Sequence, residues 1–157
     1  IYTGEDTLSL HDALPILKAA QPGIWGPERL AKMQMPLPLP KAASGLCIFS
    51  DDLGVLRHLE DRRSPMEMEW MATVQGPVSE ATLKALNGPG IRASINRQTD
   101  QLTVLRIAGK DIEGQDLGRW LDQQCPLQDL RRQRVGRLSL APLEPGQWRQ
   151  LEGYERF

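Results

Sequence analysis

From Met66 to Gln75 the chain alternates with period two. Met66, Met68, Trp70, Ala72 and Val74 fall on one side, and Glu67, Glu69, Met71, Thr73 and Gln75 on the other. Successive strand residues point to opposite faces, so this stretch predicts a strand with one buried and one wet face. Ser64-Pro65 breaks the chain before it and Gly76-Pro77 turns the chain after it. The remaining elements have to be built around this strand.

Upstream, Leu46 to Ser50 is a short apolar run that reads as a buried strand. Asp51 or Asp52 then caps a helix in which Leu53, Leu56 and Leu59 recur at near-helical spacing. Downstream, Ser79-Glu80-Ala81-Thr82 opens a helix with Leu83 and Leu86 inward, ended by Asn87-Gly88. Ile91 to Asn96 and Leu102 to Ile107 read as two strands joined by the polar turn Arg97-Gln98-Thr99-Asp100. Leu117, Trp120 and Leu121 mark a further helix, closed at Cys125-Pro126. Leu127 to Leu140 reads as a strand with a bulge at Gly136, and Trp148 to Leu151 as a last short strand. Short strands joined by tight turns, interleaved with helices, predict an α+β domain with a mixed or mostly antiparallel sheet.

The chain has 157 residues, enough for one domain with a core and too short for two full-sized ones. Its net charge of −1 excludes a globally basic nucleic-acid binder but not a local basic face. Residues 1–126 carry 13 Lys/Arg against 16 Asp/Glu, and residues 127–157 carry 6 against 4. Arg131, Arg132, Arg134 and Arg137 crowd into the latter part, as a solvated face or as an anion-binding one. Cys47 and Cys125 make no disulfide framework, and Cys47, inside an apolar run, reads as a small buried hydrophobe. His11 and His58 have no metal-ligand spacing, so no metal site is expected. No apolar run approaches the roughly 20 residues of a membrane span, and a cytoplasmic setting is the default.

Two segments near the start stand apart. Asp6 to Ile16 resembles a translated sequencing adapter, so residues 1–16 are expected to be foreign to the domain, which then runs over 17–157; the other reading is a short helix capped by Thr7 or Ser9. Pro36-Leu37-Pro38-Leu39-Pro40 can be neither helix nor central strand and is expected as an extended connection. Walker loops, dinucleotide fingerprints, nucleophile elbows and zinc spacings are absent from the sequence.

Five segments in order carry a resemblance. Ala43 to Asp52, Glu67 to Val74, Gly76-Pro77-Val78-Ser79-Glu80, Arg132 to Leu140, and Leu143 to Arg149 follow the motifs of bacterial ribosomal RNA pseudouridine synthases of the RsuA type. Leu37-Pro38-Leu39 resembles the approach to the catalytic aspartate in the RluF-like branch. The resemblance implies a pseudouridine synthase fold, a structured and ribosomal RNA substrate, and no cofactor. Such enzymes flip a uridine out of the RNA, break its glycosidic bond and rejoin the base through carbon 5.

The resemblance also implies departures. The position of the catalytic aspartate is Pro40, which offers neither nucleophile nor base. The base-stacking Tyr or Phe is Trp70. The arginine-rich helix is reduced to Glu113-Gly114-Gln115-Asp116-Leu117-Gly118-Arg119, in which Gln115 matches well. The family's S4 module has no counterpart in the sequence. Three readings follow: an inactive homologue with residual RNA binding, an active synthase whose sequence is corrupted near residue 40 or whose acid lies elsewhere, and a protein-interaction domain reusing the fold. Trp70 is expected to be buried, on a strand beside the one holding Leu46 to Phe49. Arg132 and Arg134 are expected on one strand face as RNA-binding residues, Arg131 on the other, and Arg137 on a side set by the bulge.

Overall fold

The computed structural model describes residues 2–4, 31–110, 112, 114–152 and 154–157. Residues 5–30, which include most of the adapter-like segment, lie outside the described residues. In chain order the elements are β1 (Tyr2–Gly4), β2 (Ser44–Cys47), α1 (Leu53–Glu60), β3 (Glu67–Gln75), α2 (Glu80–Leu86), β4 (Ile91–Gln98), β5 (Leu102–Lys110), α3 (Gly114–Gln124), β6 (Leu127–Val135) and β7 (Leu138–Ser139). They form an α+β domain.

Seven strands make one mixed sheet in the order β1-β2-β6-β3-β5-β4, with β7 paired to β6. Among the described residues only β2 and β6 run parallel; the other pairings are antiparallel. The alternation read in β3 is real: Trp70, Ala72 and Val74 are buried while Glu67, Glu69, Met71 and Thr73 are half-exposed. Their buried side packs with Leu105 and Ile107 of β5, Leu130 of β6, Leu86 of α2, and Leu117 and Leu121 of α3. A second apolar cluster joins Leu46, Ile48, Leu59, Val135, Leu138 and Leu140.

Local signals explain the helix ends. The Asp52 carboxylate accepts from the N–H groups of Gly54 and Val55 at the start of α1, and the Ser79 hydroxyl accepts from Thr82 N at the start of α2. Asn87 closes α2 and ties it to β4, donating to the carbonyls of Leu83 and Ala93 and accepting from Ala93 N.

Four expectations are corrected. Leu53 is 63% exposed, because the first residue after the cap points away from the core that Leu56 and Leu59 reach. Gly136, at φ +56°, turns the chain into the β6–β7 hairpin and is not a bulge. Residues 148–151 form no named strand. Trp70 is buried as expected, but β6 lies between β3 and β2, so its strand does not adjoin the one containing Leu46.

Candidate functional site: a cleft over Trp70 and Arg132

A cleft of about 440 Å³ opens between the proline segment and the middle of the sheet. Pro36 to Pro40 form one wall, the end of α1 with Glu60, Asp61 and Arg62 forms the rim, and Pro65, Met66, Met68, Trp70, Ile112 and Arg132 complete the lining. The proline segment is neither helix nor strand, as its sequence requires. Pro40 ends it in a turn, its carbonyl accepting from Ala43 N at 2.9 Å.

Arg132 is the cleft's central cation and is only 1% exposed. Its Nε donates to the Leu46 carbonyl at 2.8 Å and its Nη2 to the Leu37 carbonyl at 2.7 Å. The guanidinium carbon lies 5.6 Å from the centroid of the Trp70 ring, within range of a cation–π contact. Among the described residues no carboxylate pairs with Arg132. Burial therefore pulls its pKa down to about 10, with the nearby Cys47 acting weakly in the other direction. Cys47 is buried as expected, and burial raises its thiol pKa. Trp70 is 1% exposed and its Nε1 has no hydrogen-bond partner among the described residues.

The four arginines singled out in the sequence do not share a surface. Glu69 of β3 faces Arg134, while the next residue, Trp70, faces Arg132, so Gln133 is the extra residue of a β-bulge. This bulge corrects the expected alternation. Arg132 turns inward with Trp70, whereas Arg131, opposite Met71, and Arg134, opposite Glu69, share the outer face. Arg134 reaches Glu67 at 2.5 Å and Glu69 at 3.6 Å, and it also donates to the Gly136 carbonyl. Arg137 is exposed in the β6–β7 turn.

Glu67 also takes Arg92 at 2.9 Å, and Glu69 takes Arg106 at 2.7 Å. The carboxylates that hold Arg134 therefore sit on β3, far from it in sequence. The signal for the observed ones lay in the wet positions of β3, where Glu67 and Glu69 alternate with the core residues. The side chain of Gln115, and all of Glu113, lie outside the described residues. Arg119 is exposed, 3.7 Å from Asp116.

By sequence, the chain matches no known protein family and no curated protein. By structure, it is similar to a crystal structure of a pseudouridylate synthase, with TM-score 0.74 and 17% identity over 96% of this chain and 68% of that one. It is also similar to the archaeal box H/ACA sRNP Nop10-Cbf5 complex, with TM-score 0.55 and 15% identity over 86% and 46% of the two chains. A Cbf5-Nop10-Gar1 complex aligns with TM-score 0.53 and 13% identity over 86% and 47%. At these identities the likeness establishes the fold, which is that of pseudouridine synthases.

Proposed function

We propose that this chain is a catalytically silent relative of the RsuA-type ribosomal RNA pseudouridine synthases that retains RNA binding. One observation carries the reading: Pro40, at the position of the family's aspartate, lines the same cleft as Trp70 and Arg132. Isomerisation requires a carboxylate beside the flipped uridine, and a proline side chain supplies no lone pair, proton or charge. Arg132, the buried cation of that cleft, holds two main-chain carbonyls instead of an acid. Trp70, 1% exposed, offers little ring face for a base to stack on. The fold shared with a pseudouridylate synthase and with RNA-protein complexes supports an RNA partner.

The test is base-resolved pseudouridine mapping of unmodified ribosomal RNA after incubation with the purified protein. The expected result is a map identical to that of the buffer control. Protein-dependent conversion at any uridine overturns the proposal of silence and favours an active synthase.

A further inference from the structure

The outer face of the sheet, away from the cleft, gathers six cations. Cross-strand register places Arg92 and Arg97 of β4, Arg106 and Lys110 of β5, and Arg131 and Arg134 of β6 on this side. The carboxylates facing the same way on these strands are Glu67, Glu69 and Asp129. Two of those, Glu67 and Glu69, are shared among three arginines, so the network at the centre of the face remains net positive. Arg97, Lys110 and Arg131 have no ion pair among the described residues, and Arg131 Nε is buried without an acceptor. Between these cations Met71, Val104 and Ala108 stay half-exposed, so no element among the described residues covers the middle of the face.

We infer that this outer sheet face is a docking surface for the RNA phosphate backbone, separate from the cleft. The inference rests on the RNA-binding reading above and locates it on a surface that reading does not use. Strands lie about 4.8 Å apart and same-face residues about 6.8 Å apart along a strand, so Arg97, Lys110 and Arg131 form a spread lattice of donors. A spread lattice suits an extended polyanion better than a single bound ion. Neutralising three phosphates gives a salt slope of about −2.7 for a duplex, so raising salt from 50 to 200 mM weakens binding about 40-fold.

The experiment titrates a structured ribosomal RNA fragment and, separately, poly-glutamate against the wild type and two variants at 50 and 200 mM salt. The variants are Arg97→Gln/Lys110→Gln/Arg131→Gln and, on the cleft rim, Arg62→Gln. The expected result is RNA binding by the wild type with the steep salt response, a flat response in the triple variant, and the rim variant close to wild type. Should the triple variant fail to fold, Arg97→Gln/Lys110→Gln removes two exposed charges and is expected to lower the slope by about 1.8. RNA affinity unchanged by the face variants, or lost equally in the rim variant, overturns the outer face while leaving RNA binding in place. A wild type that binds no RNA overturns the RNA reading and the face together. Poly-glutamate binding without RNA binding points instead to an acidic protein partner.

Discussion

At Arg132 a single extra residue in the strand decides what the side chain does. Regular alternation along residues 131–134 would put Arg132 with Arg134, and the sequence carries no mark of the bulge at Gln133 that separates them. Trp70 was legible, because Met68, Ala72 and Val74 on its side of the strand are apolar and Glu67, Glu69, Thr73 and Gln75 alternate with them on the other. Two predictions belong here. Trp70→Ala removes a side chain that is 1% exposed and is expected to cost about 3–5 kcal/mol, read by denaturant unfolding; a loss under about 1 kcal/mol contradicts its place in the core. Arg132→Met removes the donor from two main-chain carbonyls, and leaving acceptors unsatisfied costs about 1–3 kcal/mol each. The same unfolding measurement is expected to show a clear loss, and a variant as stable as wild type shows that these carbonyls find other donors.

The elements follow their sequence signals most faithfully where the signal is chemical as well as periodic. Asp52 and Ser79 cap the helices they were expected to cap, and the strand at 67–75 keeps its alternation. Pairing was less legible, since strand order depends on contacts distant in sequence: β6 inserts between β2 and β3, although they are the earlier neighbours along the chain. The parallel β2–β6 contact depends on Gly45, at φ +112°, where a Cβ would run into the Arg132 main chain. Gly45→Ala combines backbone strain of about 1–3 kcal/mol with that clash and is expected to lower the unfolding midpoint sharply or leave the protein insoluble. A soluble variant with an unchanged midpoint would mean that β2 does not approach β6 this closely. Asp52→Ala should cost about 1 kcal/mol, the usual worth of a helix N-cap.

Across the whole molecule, acid sensitivity should follow from three carboxylates held by arginines. Hydrogen bonds from Arg134 to Glu67 and from Arg106 to Glu69 lower both pKa values. Arg149, bound to Glu155 at 2.6 Å through two nitrogens, lowers that carboxyl from 4.5 to about 2. Each folded pKa lies below its unfolded value, so the stability is present above about pH 4.5 and is lost as pH falls toward the folded values. The thermal midpoint should therefore fall between pH 4.5 and about 2, with a smaller fall in Glu155→Gln; a midpoint unchanged across that window contradicts these pairings. On the same scale, in the function proposed above, the cleft keeps the place of a catalytic site while Pro40 removes its acid. The most direct measurement uses ribosomal RNA tritiated at carbon 5 of uridine, because rejoining the base through that carbon must expel its hydrogen. With the RNA shown to be bound at saturating protein, the account predicts no tritium release above the protein-free control. Release that grows in proportion to protein concentration would contradict it.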